Sequence, residues 1–303
     1  MSERYHYCGL LLESELELPD LPRVTDGASP ALRLRWGQVP DQLPNARRRT
    51  ATWEHDAREA LWRLPGVASY RISQRGRLIE VEPAAGAEAA SVRLFLLQPV
   101  FALASLLRGE ALLAASAVAK DDRVCAFVGP SASGKSSAAA VLLQRGWRLV
   151  SDSLLRIAPD TAGHPLAYPQ APWLWLWPDA IQALGLDLSG AAKLRSALAI
   201  RRLPTPTIER PLPLTRVAVL REQQGDDLEL FETAPRHGGR AFASLLQQTA
   251  GTTWVDELAD RRRLFQWVLR IATGATIERL DIPWGWQHRD RLADQLEQWC
   301  GRT

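Results

Sequence analysis

One short run of residues combines glycine, lysine and serine in a spacing that predicts phosphate binding. The segment Gly129-Pro130-Ser131-Ala132-Ser133-Gly134-Lys135-Ser136 matches the pattern G-x-x-x-x-G-K-[ST]. In such a loop the backbone N–H groups converge on phosphate oxygens, and the next helix turns its positive end toward the same anion. The pattern predicts that Lys135 reaches the β- and γ-phosphates of a nucleotide and that the Ser136 hydroxyl coordinates Mg²⁺.

The predicted nucleotide contacts extend over most of this run and one residue beyond it. They are Gly129, Ser131, Ser133, Gly134, Lys135, Ser136 and Ser137. The alternative interpretation is an ordinary strand-to-helix turn that uses glycine and serine for backbone reasons alone. The phosphate interpretation is favoured because the chain has only three lysines, and one of them occupies the position that the pattern demands.

A carboxylate follows this loop at short range. Asp152 lies 16 residues after Ser136, at the end of an apolar run that predicts a strand. A carboxylate beside the loop can hold Mg²⁺ directly or through water, so Ser136 and Asp152 form the predicted metal site. Lys135 and Asp152 are the predicted catalytic residues. The alternative is that Asp152 only begins a turn after a strand.

The elements that must position these residues can be read from the neighbouring sequence. Apolar runs predict strands over 112–119 and 123–128, joined by a turn at Lys120-Asp121-Asp122. A helix is expected over 137–145, ended by Gly146 in a left-handed conformation, with a strand over 147–152. The order is strand, loop, helix and strand.

The rest of the chain gives a coarser prediction of α/β class, with a mostly β amino-terminal lobe over 1–90 and the nucleotide-binding domain over 91–303. The lobe is expected to be antiparallel. Its predicted strands are 5–12, 32–36, 60–64, 69–73 and 78–81. In the second region the predicted helices are 91–107, 241–248, 256–272 and 289–299, and the predicted strands are 216–220, 228–231 and 276–280.

Composition narrows the function classes. The chain has 303 residues with 37 basic and 34 acidic side chains, a net charge of +3, which does not predict nucleic-acid binding. The three cysteines are far apart and form no C-x-x-C pair, which favours a reducing cytoplasm over a disulfide-stabilised exterior. The longest apolar stretch, 94–107, is short for a membrane span and is expected to be a core helix. We therefore expect no membrane partner.

The segment from Leu112 to Ile157 resembles the catalytic core of HPr kinase/phosphorylase and its relatives, whose phosphate-loop fold is shared with ATP-dependent phosphoenolpyruvate carboxykinase. The opening Tyr7-Cys8-Gly9-Leu10 is similar to the start of HPr-kinase-like serine kinases encoded beside lasso-peptide clusters. The resemblance implies an HPr-kinase-like fold with C-terminal helices, ATP and Mg²⁺ as cofactors, a homo-oligomer, and transfer of the γ-phosphate to a serine of a peptide or small protein.

Three positions depart from the family pattern. The family has L-H-A-S-A-V before the loop, whereas here Ala114 takes the place of the histidine. The family's acidic pair S-D-D is Ser151-Asp152-Ser153, which keeps one carboxylate. The internal glycine of the loop is Ala132, which implies strain if that position requires a positive φ. These departures leave a second function open: a catalytically degenerate nucleotide-binding protein that regulates a partner or presents a peptide to it.

Two further features carry alternatives. Trp173, Trp175 and Trp177 alternate, so a strand would place them on one face, either as a binding platform or as packing in a core or subunit interface. Basic residues cluster nearby, and they either steer phosphates or an acidic peptide or form a solvated face; they are Lys193, Arg195, Arg201 and Arg202.

Overall fold

The computed structural model describes residues 2–25, 27–56, 58–189, 191–223, 232–283 and 285–302. Its strands are β1 (Glu3–Tyr7), β2 (Leu10–Ser14), β3 (Leu32–Trp36), β4 (Arg48–Arg49), β5 (Trp53–His55), β6 (Ala60–Leu64), β7 (Ala68–Ser73), β8 (Leu78–Pro83), β9 (Leu112–Leu113), β10 (Ala115–Lys120), β11 (Arg123–Val128), β12 (Arg148–Asp152), β13 (Leu155–Pro159), β14 (Pro165–Tyr168), β15 (Trp173–Leu176), β16 (Ala192–Lys193), β17 (Arg201–Pro204), β18 (Leu212–Gln223), β19 (Glu232–Pro235) and β20 (Thr276–Pro283). Its α-helices are α1 (Ala89–Phe95), α2 (Phe101–Leu107), α3 (Lys135–Leu143), α4 (Pro178–Ala183), α5 (Gly238–Gln247), α6 (Thr252–Leu258), α7 (Arg261–Gly274) and α8 (Arg289–Gly301). The predicted α/β class and the C-terminal helices are confirmed.

The first predicted strand is a hairpin in the structure. Cys8 and Gly9 adopt φ values of 51° and 66°, and Tyr7 pairs with Leu10, which makes a two-residue turn between β1 and β2. Two successive positive φ values match the right-handed twist of the flanking strands and reverse the chain. The prediction of one strand over 5–12 was therefore wrong, because the apolar pattern continues through the turn.

The amino-terminal sheet has eight strands in the order β1-β2-β3-β8-β7-β6-β5-β4. The pairs β2·β3 and β3·β8 are parallel and the others are antiparallel. The expectation of an antiparallel lobe was thus wrong for the middle of the sheet. The chain leaves β2 through a long connection before β3, and β8 returns beside β3 only after the hairpins of β4 to β7, so both neighbours of β3 run in its direction.

A helical segment packs on this sheet. Tyr70 donates a hydrogen bond to the Val92 carbonyl and Tyr7 donates one to the Leu97 carbonyl. Between α1 and α2 the chain forms a π-helical turn, Leu96–Val100, around Pro99. Proline lacks the N–H that an α-helix requires, which accounts for the interruption.

The same segment is long and apolar enough to cross a membrane. Ala89–Leu107 spans 19 residues with a mean hydropathy of 1.7. Since 61% of its most apolar window is buried inside the protein, the pattern is that of a core helix.

By internal contacts the chain divides into two compact units, Met1–Ala111 with Ala250–Leu264, and Leu112–Thr249 with Phe265–Thr303. The predicted division fell at residue 90. The two divisions differ because α1 and the π-helical turn contact the amino-terminal sheet through the tyrosines above, and because 250–264 belongs to the same unit.

The second unit has a mixed sheet built around β18. The order is β12-β10-β11-β18-β14-β13-β9, and β20 also pairs with β18. Strand β18 is parallel to its neighbours β11 and β20, whereas β10 is antiparallel to both β11 and β12. The turn predicted between β10 and β11 is present, because Asp121 and Asp122 adopt φ values of 50° and 58°. Helix α3 lies on this sheet beside α8, and their contact encloses an apolar core that includes Phe127, Leu142 and Trp299.

Other predicted elements differ in their bounds. The predicted helix over 256–272 is two helices, α6 and α7, because Ala259 is extended and Asp260 accepts a hydrogen bond from the Arg263 N–H with its carboxylate. A side chain that caps a helix start favours a new helix over continuation of the previous one. The predicted strand over 228–231 lies outside the described residues.

The three cysteines are buried and unbridged. The Cys125 thiol on β11 donates a hydrogen bond to the Cys300 carbonyl on α8, at an S···O distance of 3.8 Å. The predicted absence of a disulfide framework agrees with this arrangement.

Candidate functional site

The glycine-containing loop connects the carboxyl end of β11 to the start of α3. Gly129 follows Val128 directly and has φ of 153°. A Cβ atom at Gly129 would lie 2.6 Å from Ser133 Oγ and 2.9 Å from the Leu220 carbonyl oxygen. Both distances are shorter than side-chain carbons tolerate, so the close approach of the loop to β18 requires glycine here.

Two further loop residues have left-handed backbone conformations. Gly134 has φ of 83° and is the N-cap of α3, whereas Ala132 has φ of 64°. The predicted strain at Ala132 is therefore present, because a Cβ atom in this region costs about 1–2 kcal/mol. The loop keeps its curvature although its internal glycine is replaced.

The start of α3 presents uncapped donors to the loop. No side chain caps the helix at Gly134. The N–H groups of the first helical turn have no intrahelical acceptors, and the helix dipole adds positive charge at the same end. Ser133 is 8% exposed, and its Oγ has no hydrogen-bond partner within the described part of the chain. A buried unpartnered hydroxyl beside free N–H groups fits an incoming anion.

Lys135 is folded back over its own loop. Its ammonium group donates to the Gly129 carbonyl at 3.0 Å and to the Pro130 carbonyl at 2.7 Å. Burial lowers the pKa of Lys135, and the nearby Asp152 carboxylate opposes this effect. The two acceptors are neutral carbonyls, so a phosphate would be a stronger acceptor for the same ammonium group.

Asp152 is held by donors from three directions. Its Oδ1 accepts hydrogen bonds from the hydroxyls of Ser116 at 2.5 Å and Ser136 at 2.8 Å. Its Oδ2 accepts one from the Trp175 backbone N–H at 2.8 Å. The residue is 3% exposed, and its own N–H donates to the Gln170 side chain at 3.0 Å. Burial raises the pKa of Asp152, while these hydrogen bonds and the Lys135 charge act in the opposite direction.

The donor set around Asp152 suits magnesium better than a metal that requires several protein ligands. No group of three or more His, Cys, Asp or Glu side chains that could hold a metal ion occurs among the described residues. Mg²⁺ keeps several waters and binds through one or two carboxylates together with substrate phosphates. One carboxylate, Asp152, and one hydroxyl, Ser136, beside a phosphate loop meet that requirement.

Two of the three positions that depart from the family pattern, Ser153 and Ala114, carry no charged group. Ser153 has φ of 94°, and its backbone N–H and carbonyl both pair with Ala115. Its hydroxyl donates to the Asp152 carbonyl. The Ala114 N–H donates to the Gln248 carbonyl at 2.8 Å, so the contact made at this position comes from the backbone. Neither residue supplies a second metal ligand or a base.

The structure brings Lys135, Ser136 and Asp152 together and leaves Ser131 exposed at the loop surface and Ser137 half-buried in the first turn of α3. Sequence reasoning missed Ser116, Gln170 and the backbone of Trp175. A serine at a buried position of a predicted strand was the available signal for Ser116. No residue type signals a backbone N–H such as that of Trp175.

The alternating tryptophans lie on a small three-stranded sheet, β15-β17-β16. Leu174 and Leu176 are buried, whereas Trp173 and Trp175 are half-buried on the other face and Trp177 is 54% exposed. The Arg202 guanidinium lies 4.3 Å from the centre of the Trp173 ring. The leucine side chains are buried in the core, whereas the tryptophan side chains remain partly accessible, and the Trp175 backbone contacts the Asp152 carboxylate.

Comparison with known proteins finds structural similarity without a sequence match. No protein-family profile matches the chain, and no curated protein matches its sequence. A solved structure, the HPr(Ser) kinase/phosphatase from Coxiella burnetii, is similar at a TM-score of 0.33 and 11% sequence identity, over 62% of this chain and 95% of that chain.

Proposed function

We propose that the protein binds ATP with Mg²⁺ at the loop 129–136 and transfers the γ-phosphoryl group to a hydroxyl of a peptide or small protein. The observation that carries the proposal is the hydrogen bond from Ser136 Oγ to Asp152 Oδ1, 2.8 Å long, beside the Lys135 ammonium group. It places one hydroxyl, one carboxylate and one cation at the uncapped start of α3, where phosphates would be bound.

The loop residues bind and orient the nucleotide in this proposal. The backbone N–H groups at the start of α3 and the Ser133 hydroxyl donate to phosphate oxygens. Lys135 exchanges its two loop carbonyls for charged phosphate acceptors. Asp152 and Ser136 hold the Mg²⁺ ion, which supplies neutralisation of the charge that develops on the phosphates.

The transfer forms a bond between the acceptor oxygen and the γ-phosphorus and breaks the bond from that phosphorus to the β,γ-bridging oxygen. ADP leaves with the electron pair, and the hydroxyl proton passes to a base. Solvent water serves as that base, because Asp152 is assigned to Mg²⁺ and a metal-bound carboxylate is a poor proton acceptor. Positioning and charge neutralisation dominate phosphoryl transfer, so Lys135 and Asp152 are assigned the larger share of catalysis.

A second candidate function is nucleotide binding without transfer, as in a regulator that presents a peptide to a partner. The side chains at Ala114 and Ser153 favour it, because neither supplies the imidazole or carboxylate expected from the family pattern. Restoring both with Ala114→His and Ser153→Asp separates the two functions. A gain of phosphoryl transfer would support a chain that retains nucleotide binding after loss of a kinase's catalysis, whereas no gain would indicate divergence to other chemistry.

Calorimetric titration of ATP and ADP, with and without Mg²⁺, tests the proposal. Lys135→Ala should weaken ATP binding at least about tenfold, which corresponds to roughly 1.4 kcal/mol. Lys120→Ala is the matched control, because Lys120 pairs with Glu297 at the opposite end of β10. Mg²⁺-dependent binding that is lost only in Lys135→Ala supports the site. Mg²⁺-independent binding supports the second candidate, and an equal loss in both variants would contradict the assignment of Lys135.

A further inference from the structure

The small sheet beside Asp152 places two cations opposite each other. In the antiparallel pair of β16 and β17, Lys193 is the register partner of Arg201. Directly opposed residues have Cβ atoms about 5 Å apart, and like charges in that position destabilise the strand pair. Within the described part of the chain, neither side chain makes an ion pair with an acidic residue.

A second pair in the same molecule shows what normally relieves this repulsion. Lys120 and Arg123 are also register partners, at the turn between β10 and β11. There Lys120 contacts the Glu297 carboxylate at 2.7 Å, so the opposed cations have a counter-charge. The contrast indicates that the Lys193 and Arg201 pair is completed by an anion from outside.

The distance from this cation pair to Asp152 indicates which molecule carries the anion. Arg201 is also the register partner of Leu176, and the preceding residue, Trp175, donates its N–H to Asp152. Neighbouring strands are about 4.8 Å apart, so the two cations lie roughly one and two strand spacings beyond β15. An extended peptide that advances about 3.3 Å per residue covers this distance in roughly two to four residues.

We propose that Lys193 and Arg201 bind an acidic segment of the acceptor peptide, with carboxylates about two to four residues from the phosphorylated hydroxyl. Register partners share one face of a sheet, so Lys193 and Arg201 lie on the face of Leu176, opposite Trp173 and Trp175. Charge complementarity selects the acidic peptide. This inference rests on the proposed function for the identity of the hydroxyl.

Two fluorescein-labelled synthetic peptides test the inference by anisotropy at low ionic strength, without nucleotide. Both have a central serine, with glutamates in one and glutamines in the other at the second to fourth positions on each side. We expect the glutamate peptide to bind wild type at least about fivefold more tightly than the glutamine peptide. Lys193→Gln with Arg201→Gln should abolish the difference, and Lys120→Gln with Arg123→Gln should preserve it.

Circular dichroism confirms that each double variant is folded, and ATP affinity is measured in parallel. No preference in wild type, or equal loss in both double variants, would overturn the docking site. Loss of ATP affinity in the Lys193 and Arg201 variant with the peptide preference retained would also overturn it, by assigning the cations to the nucleotide. A retained preference in a protein that binds no ATP would support the docking site while refuting the proposed function.

Discussion

Ser116 and Asp152 are register partners on β10 and β12, and the Ser116 hydroxyl donates a hydrogen bond to Asp152 Oδ1 at 2.5 Å. The strand pairing itself therefore orients the carboxylate toward the phosphate loop. The opposite oxygen is fixed by the Trp175 N–H, so the carboxylate plane is set before any ligand binds. Ser116 acts through Asp152 and is a positioning residue in the proposed reaction.

The first prediction concerns Ser116→Ala. Loss of a hydrogen bond to a buried carboxylate should lower the free energy of unfolding by about 1.5–3 kcal/mol, as measured by urea denaturation. Ser151→Ala is the matched control, because Ser151 is equally buried on β12 but donates to the neutral Leu154 carbonyl at 2.8 Å. That variant should lose only about 1 kcal/mol. Equal losses in the two variants would argue against a charged acceptor at Asp152.

The second prediction concerns pH. Burial raises the pKa of Asp152 above the ordinary 3.8, so the folded protein retains this proton at pH values where the unfolded chain has released it. Its contribution to the free energy of unfolding is complete below the unfolded pKa and falls as pH rises through the folded one. The free energy of unfolding of Asp152→Asn, minus that of wild type, should therefore increase from about pH 4 to pH 7. A difference that stays constant over this range would show that the Asp152 pKa is not raised.

The third prediction concerns the strained alanine of the loop. Ala132→Gly should raise the free energy of unfolding by about 0.5–1 kcal/mol, because relief of the left-handed strain exceeds the added entropy of the unfolded chain. Ala85→Gly is the control, since Ala85 is exposed in a turn and is not among the residues with positive φ. It should give no stabilisation in the same thermal or urea unfolding experiment. A loss of stability in Ala132→Gly would contradict the left-handed assignment.

The fourth prediction compares two glycines with positive φ. Gly129→Ala brings a Cβ atom against Ser133 Oγ and the Leu220 carbonyl, whereas a Cβ at Gly146 meets nothing within 4 Å. Gly146→Ala should cost the backbone strain alone, about 1–2 kcal/mol. Gly129→Ala should cost about 1–3 kcal/mol more in unfolding experiments, because packed neighbours must move. Similar costs in the two variants would place the loop farther from β18 than described.

The sequence was sufficient for features that depend on local chemistry. The bounds of β11, the turn at Asp121 and Asp122, and the left-handed Gly146 follow from residue types that restrict φ or alternate in hydrophobicity. The loop pattern and its short distance along the chain to Asp152 likewise predicted that Lys135, Ser136 and Asp152 are neighbours. In the structure Ser136 is hydrogen-bonded to Asp152, and Lys135 is close enough to interact with its charge.

Features that depend on contacts between residues far apart in the sequence could not be predicted from it. Trp175 contributes a backbone N–H to Asp152 from 23 residues away, and any residue type except proline could do the same. The break between α6 and α7 also escaped prediction, because the helical periodicity continues through Ala259 and only the capping by Asp260 restarts the helix. The π-helical turn at Pro99 was marked in the sequence by the proline, but the apolar pattern outweighed it.

The contact between Cys125 and Cys300 allows the opening of the carboxyl-terminal helix α8 to be measured by the rate of thiol labelling. Burial is the main cause that raises the pKa of Cys300, followed by its hydrogen bond with Cys125, so the Cys300 thiol offers no reactive thiolate in the closed protein. An alkylating reagent can reach either thiol only after α8 separates from β11. The labelling rate therefore reports the opening free energy of that helix. Strand β11 leads directly into the loop at Gly129. Slower labelling in the presence of nucleotide would therefore show that binding at the loop raises the opening free energy of α8 through this strand.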